Sequence, residues 1–489
     1  MAQPKFVKHA MMACLISTLA ACTVGPNYVR PKAPVPASYK EMKGWKKAQP
    51  LDGISRGAWW EIFGDPQLNA LEAQVNISNQ NLAQAEAQFR QALASVQVAR
   101  AGYFPVISGS SSGTRSRTPG TLLRNGAGQT ISDFLLSGDI SWELDLWGKI
   151  RRTVEASKAS AQASEADLEG VRLAAHAQLA QDYFQLRALD LQAQILHSTV
   201  EIYTRFLQLT KNRYATGVAS PADVLQAETQ LKTARAQEID TGVQRAQFEH
   251  AIAVLMGKPP LELSIPPLPL NLKPPVVPAG IPSELLERRP DIAAAERQAA
   301  AANAQIGVAV AAYYPTITLS ATGGLEASSL AQWFTWPARF WTLGPGLLQQ
   351  TVFEGGLRHA QVAQARAAYD AAAASYRQTV LTAFQQVEDN LSALRILENE
   401  ARVQDEAVKA AQQSVAITTN QYKAGIVNAL SVIVTQAIAL NDELTAANIL
   451  GRRMVADVLL IQALGGGWQA DGLPLCVGQE REAGSGKRE

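Results

Sequence analysis

A chain of 489 residues that is 47% hydrophobic and 18% charged has the composition of a folded protein, which excludes disorder over most of its length. Its net charge of +1 leaves no electrostatic footprint for nucleic acid or for a strongly anionic partner. The five histidines (His9, His176, His197, His250 and His359) are scattered without metal-type spacing, so no metal site is expected.

Residues 1–21 read as an export signal: Lys5 and Lys8 precede an apolar run from Ala10 to Ala21, too short for a permanent membrane helix. The run ends Leu19-Ala20-Ala21-Cys22, which looks like a bacterial lipobox and implies cleavage before Cys22 and a covalent lipid on that residue. An ordinary secretory signal with a chance cysteine and an uncleaved anchor are the rival readings. Thr23 follows, where lipoproteins retained at the inner membrane usually carry Asp, so sorting to the outer membrane is expected. Cys14 departs with the signal and Cys22 is acylated, which leaves Cys476 without a disulfide partner. Prolines 26, 31, 34 and 36 then rule out helix and predict an extended, lipidated strap over residues 22–64.

The body of the chain is written twice, about 210 residues apart. Asn81-Leu82-Ala83-Gln84-Ala85-Glu86 and Ala101-Gly102-Tyr103-Phe104-Pro105 return as Asp291-Ile292-Ala293-Ala294-Ala295-Glu296 and Ala311-Ala312-Tyr313-Tyr314-Pro315. Asn212-Arg213-Tyr214-Ala215-Thr216-Gly217 returns as Asn420-Gln421-Tyr422-Lys423-Ala424-Gly425. The repeats span residues 65–257 and 283–464, joined by a Pro-rich linker over 258–282 and followed by a tail over 465–489.

In the first repeat Asp65-Pro66 starts a helix expected to run through residue 100. Strands follow at about 104–118, with weak alternation, and about 134–147, where alternation is clean. Leu136, Ile140, Trp142, Leu144 and Leu146 fall on one face; Ser137, Asp139, Ser141, Glu143 and Asp145 fall on the other. The second repeat places strands at about 315–327, with Glu326 on the polar face, and at about 340–353, where parity breaks near Pro345. Carboxylates on one face suit a half-buried strand of a soluble sandwich, or a barrel wall between lipid and water. Helices are also expected at 222–256, 283–311 and 430–464.

Two stretches, from about Ile150 to Ala215 and from about Leu357 to Ala424, contain no proline and read as helices on the order of 100 Å long. Leu186, Leu189, Ala193, Leu196, Val200, Tyr203, Leu207, Thr210 and Tyr214 step by three and four. Leu394, Leu397, Ala401, Gln404, Val408, Ala411, Val415, Thr418 and Tyr422 keep the same register. A repeat of 3.5 residues predicts left-handed coiled-coil packing, with an amphipathic helix on a globular core as the plainer alternative. Gly217 and Gly425 fit the left-handed residue that closes each long helix.

Four strands leave two open edges, which hydrocarbon does not tolerate, so a membrane barrel needs further copies of the chain. Two copies give eight strands and a filled barrel; three give twelve and an aqueous lumen, which the polar row Asp139, Glu143, Asp145 and Glu326 favours.

Three features together resemble the TolC/OprM-type outer-membrane efflux lipoproteins. They are the lipobox followed by Gly25-Pro26-Asn27-Tyr28-Val29-Arg30-Pro31, the stretch Leu285-Leu286-Glu287-Arg288-Arg289-Pro290-Asp291-Ile292, and the paired Tyr-x-x-Gly turns. The resemblance implies a mainly α fold with membrane β: a homotrimer with a twelve-stranded outer-membrane barrel continued by a periplasmic coiled-coil tunnel. It implies a passive duct for small molecules, completed by a periplasmic adaptor and an inner-membrane RND-type transporter.

Docking of the adaptor is implied beside Arg213, Tyr214, Gly217, Tyr422 and Gly425, although a helical hairpin needs such glycines anyway. In this family the second turn narrows the closed tunnel. Leu430 matches its hydrophobic position, whereas Ser431 and Val434 stand where relatives often carry Asp. Asp223 is the nearest substitute carboxylate, or simply a helix cap. No catalytic constellation or cofactor motif stands out. A pore-less structural coiled-coil lipoprotein and a lipid-anchored enzyme are the alternative functions; the first leaves the duplicated strands unexplained.

Overall fold

The computed structural model describes residues 23–41, 58–119, 121, 128–275, 277, 288–344 and 346–466. The signal segment and Cys22 lie outside the described residues, as do Glu287, Cys476 and the tail beyond residue 466.

Helices α1 (Pro66–Ser78) and α2 (Gln80–Ala101) lead into strands β1 (Val106–Thr118) and β2 (Gln129–Glu143), then α3 (Lys149–Ala215) and α4 (Pro221–Leu255). The second half runs α5 (Pro290–Ala311), β3 (Thr316–Ala327), β4 (Arg339–Leu343), β5 (Leu347–Gln349), α6 (Leu357–Lys423) and α7 (Ala429–Ala463). The duplication is exact in length for three helix pairs: α2 and α5 have 22 residues, α3 and α6 have 67, α4 and α7 have 35.

The single helix expected over residues 66–100 is broken. Asn79 adopts extended backbone (ψ 121°), its Oδ1 accepts from the Leu82 amide at 3.0 Å, and its Nδ2 donates to the Leu255 carbonyl at 2.7 Å. Its side chain thus caps α2 while tying that helix's start to the end of α4. The matching joint in the second half has Arg289 Nη1 donating to the Ala463 carbonyl at 3.0 Å, which sets the start of α5 on the end of α7. Arg289 also pairs with Asp291.

α2 over α4 makes one column, and α5 over α7 another. Contacts order the columns as α2/α4, α3, α5/α7, α6, a layer in which, among the described helices, each outermost column packs on a neighbouring column on one side only. The expected heptad positions on α3 and α6 are buried or half-buried except Tyr214.

Around the middle of α3 lies the main hydrophobic core: Trp59, Phe63, Leu68, Tyr183, Phe184, Tyr376, Val380 and Leu391. Each such side chain contributes about 1.5–3 kcal/mol on burial. The described part of the Pro-rich linker is held against α3. Arg187 Nη1 donates to Pro266 O at 2.9 Å, Asp190 accepts from the Leu268 amide, and Ile265 and Leu270 are buried.

The described part of the strap, residues 23–41, runs extended from the sheet along the helices. Val24 N donates to Trp147 O at 3.2 Å near the sheet, Tyr28 OH to Glu296 at 2.6 Å on α5, and Glu41 N to Glu388 at 2.9 Å on α6.

Asp457 on α7 is 2% exposed, and burial pushes its carboxyl up to about 8 despite the opposing charge of Arg453. Between the ordinary carboxylate value and about 8, the folded protein holds a proton that the unfolded chain has released. Stability should therefore fall as pH rises through that window and level off above it. Thermal unfolding of Asp457→Asn against pH is expected to lack most of this decline; equal slopes in both proteins would refute the assignment.

Candidate functional site

The strands form one antiparallel sheet in the order β1-β2-β3-β4, with β5 also paired to β3. Strand lengths and register place the site. Asp139 stands opposite Thr322, Glu143 opposite Thr318 and Leu135 opposite Glu326, so Asp139, Glu143 and Glu326 share one face. Thr322 Oγ1 and Ser137 Oγ both donate to Asp139, at 2.8 and 3.1 Å. The opposite face carries Ile107, Leu136, Ile140, Trp142, Leu319, Trp341 and Leu343, all exposed.

A sheet with one apolar exposed face, one carboxylate-bearing face and two unpaired edges is a barrel wall waiting for neighbours. Aromatic groups mark both ends. Trp142 Nε1 donates to Tyr103 O, and Trp147 stacks on Tyr314 at 4.8 Å where the sheet meets the helices; Phe134, Trp333 and Phe334 cluster at the far end. Such girdles flank the apolar band of outer-membrane barrels.

Three expectations for the sheet need correction. The second strand ends at Glu143, and Asp145 lies beyond it. Its two carboxylate oxygens accept from the amides of Ile150 and Arg151, both at 2.9 Å. Orphan amides at a helix start are a strong magnet for a nearby carboxylate, so Asp145 caps α3 and leaves the inward row. The strand expected at 340–353 is two short pieces, β4 and β5; Gly344 still donates to Ser320 O at 2.9 Å, and its φ of 101° breaks the strand there. The second strand also begins at Gln129, earlier than alternation suggested, because Ser132 and Asp133 interrupt the apolar pattern.

At the opposite end of the long helices two hairpin turns form the tip. Gly217 and Gly425 have φ of 77° and 79°, and the amides of Val218 and Ile426 reach back to the carbonyls of Arg213 and Gln421 at 2.8 and 2.9 Å. Only glycine takes this conformation without strain, so each long helix stops where its glycine stands. Ser220 and Asp223 form a capping box at the start of α4: Asp223 Oδ2 accepts from Ser220 N at 2.9 Å. The second turn uses a neutral cap instead, Asn428 Oδ1 accepting from Ser431 N at 3.1 Å and from Ser431 Oγ. Leu430 and Val434 are each 49% exposed on the same helix.

Tyr422 does not lie on the surface expected to meet a partner. It is 3% exposed, buried between the hairpins against Phe206 at 5.4 Å. The Arg213 guanidinium sits 4.5 Å from its ring centroid, and Arg213 Nη1 donates to Tyr422 O at 2.6 Å. Tyr214, its counterpart in the first turn, is 49% exposed. The clamp was missed because the repeats suggest equivalence; the one hint is that Arg213 corresponds to Gln421.

A two-faced sheet continued by a sheath of coiled-coil helices defines the class: a channel-forming outer-membrane protein. The sequence profile described as outer membrane efflux protein matches residues 71–258 and 281–466, one match per repeat. The probable efflux pump outer membrane protein TtgC of Pseudomonas putida is 30% identical over 459 residues, covering 92% of this chain and 93% of the relative. The solved outer-membrane channel OprN superposes with a TM-score of 0.85 at 32% identity, covering 92% of this chain and all of that one. The open state of the Neisseria gonorrhoeae MtrE outer membrane channel gives 0.82 at 26% identity, over 92% of this chain and 99% of MtrE. This chain belongs to the outer membrane efflux protein family, and it is an outer-membrane component of efflux.

Proposed function

We propose that three copies of the chain build one continuous conduit that carries small molecules passively out of the cell. The observation that carries this reading is the pair of matched open edges. The sheet ends on β1 and β4, and the helical layer ends on α2/α4 and α6. Three copies joined edge to edge close twelve strands in the outer membrane and a helical sheath in the periplasm. Eight strands from two copies would fill their own interior with side chains. No chemistry is assigned to the chain: its energy comes from an inner-membrane RND-type transporter, linked through a periplasmic adaptor.

The adaptor is assigned to the exposed turns, around Gly217 and Gly425, with Tyr214, Val218 and Ile426 as the accessible side chains. Leu430 and Val434 narrow the aperture. Ser431 is occupied by its cap, and Asp223 is held in its capping box, so the constriction is apolar instead of anionic. Leu430→Asp is expected to raise single-channel conductance of the purified trimer in planar bilayers several-fold. An unchanged conductance would remove Leu430 from the gate.

A lipid on Cys22 agrees with the strap, whose first described residue, Thr23, lies beside the helix–sheet junction, the level of the inner aromatic girdle. Cys22→Ser should abolish incorporation of labelled palmitate; persistent labelling would place the acyl group elsewhere. The whole reading is tested by reconstitution. Heat-resistant trimers that conduct in bilayers support it, while a water-soluble monomer without conductance overturns it.

A further inference from the structure

Charge on the sheet is sorted completely by face. Among the described strand residues the carboxylates, Asp133, Asp139, Glu143 and Glu326, all lie on the inward face. The arginines, Arg115, Arg117 and Arg339, all lie on the outward apolar face: Arg115 stands opposite Ser132, Arg117 opposite Thr130 and Arg339 opposite Leu325. Each occupies the end of its strand remote from the helices, and none has a carboxylate partner among the described residues.

We propose that Arg115, Arg117 and Arg339 form a binding site for phosphate-bearing lipid headgroups in the outer leaflet. The proposal rests on the trimeric barrel reading and deepens it. β1 and β4 are the two open edges, so closure sets β4 of one protomer beside β1 of the next. Each seam then gathers a pair of arginines from one subunit and the third from its neighbour.

Aromatic side chains complete the site. Arg339 Cζ lies 3.4 Å from the Trp336 ring centroid, and Trp341, two residues on, shares its outward face and is 74% exposed. Stacking on Trp336 leaves the edge N–H groups of the guanidinium free to donate. A tryptophan belt fixes the depth at the headgroup level, where an outward arginine meets phosphate oxygens. At mid-bilayer the same residues would be strongly unfavourable, and there the outward face carries only Gly, Ser and apolar residues. An acidic protein partner would explain the charge but not its confinement to the apolar, lipid-directed face.

The test uses the full trimer in vesicles of equimolar phosphatidylcholine and phosphatidylglycerol, followed by gentle extraction and mass measurement of retained lipid. At about five-fold per arginine, wild type should favour the anionic lipid on the order of a hundredfold per seam. The R115Q/R117Q/R339Q variant should fall to near parity while remaining a heat-resistant trimer, and R115K/R117K/R339K should keep most of the preference. Saturating inorganic phosphate should leave bound lipid in place. An unaltered preference in the glutamine variant overturns the proposal, and so does complete displacement by phosphate, which would mark a free-anion site. A chain that never enters the vesicles as a trimer sinks the barrel reading, and this site with it.

Discussion

Arg187→Ala is expected to lower stability by about 3–5 kcal/mol, the usual cost of breaking a buried ion pair by removing one partner. Arg187 is 2% exposed and Asp190 5%. The guanidinium donates to Asp190 Oδ2 and to the carbonyl of Pro266, both at 2.9 Å, and lies 4.8 Å from the Tyr183 ring centroid. Asp190 also accepts from Arg245 at 2.6 Å and from the Leu268 amide at 2.9 Å. Alanine would leave Asp190 undercompensated and release the Pro266 carbonyl, so the linker loses its hold on α3. The first consequence to measure is proteolysis: cleavage between residues 263 and 275 should appear before cleavage of the long helices. Lysine is a poor replacement because a single ammonium cannot reproduce the fork. The joint variant Arg187→Met/Asp190→Leu should be less destabilised than Arg187→Ala, because Arg245 keeps Glu249 at 2.7 Å and no buried charge is left unpaired. If Arg187→Ala melts with wild type and its linker stays resistant, the network carries no stability.

That network also shows where sequence reasoning stopped. The long helices were legible because Leu, Ala, Val and Tyr recur every three or four residues with no proline to interrupt them. The tip glycines were legible because only one residue type suits their backbone. β3 was legible because Ile317, Leu319, Ala321 and Leu325 alternate with hydroxyls and Glu326. What remained hidden depends on partners distant in the chain. Asn79 breaks its helix by bonding Leu255, which no local propensity reveals. Asp145 belongs to the period of the polar row, yet the amides of α3 outbid the strand for it. The outward arginines were hidden because β1 carries small residues on both faces, Ser and Thr inward and Gly and Ser outward; only its pairing with β2 assigns a side to Arg115 and Arg117. Tyr214 and Tyr422 have equivalent positions in their repeats, and nothing local tells which one is buried.

The asymmetry of those tyrosines leads to the other large effect: Tyr422→Ala is expected to let the two tip hairpins separate and to raise the conductance of the isolated trimer. Tyr422 closes the last turn of α6, and Arg213 the last turn of α3, so the clamp joins the first hairpin to the second within one chain. Tyr422→Ala keeps the backbone carbonyl that accepts from Arg213 and removes the ring, whose cation–π contact with the half-buried guanidinium is worth about 1–2 kcal/mol. Since 1.4 kcal/mol is tenfold in an equilibrium, losing that contact would move a closed tip about one decade toward the open packing. Tyr422→Phe should change little, because the ring over Arg213 and the backbone acceptor survive and only the 3.4 Å contact to Thr210 goes. Arg213→Ala loses the hydrogen bond to the Tyr422 carbonyl as well and should open the tip at least as far as Tyr422→Ala, and the double variant should add almost nothing to Arg213→Ala, as expected for one shared interaction. Additive gains would instead mean that the two residues act separately. Wild-type conductance from an intact Tyr422→Ala trimer would show that the hairpins are held together by other contacts, with the Leu430 constriction then carrying closure without the clamp.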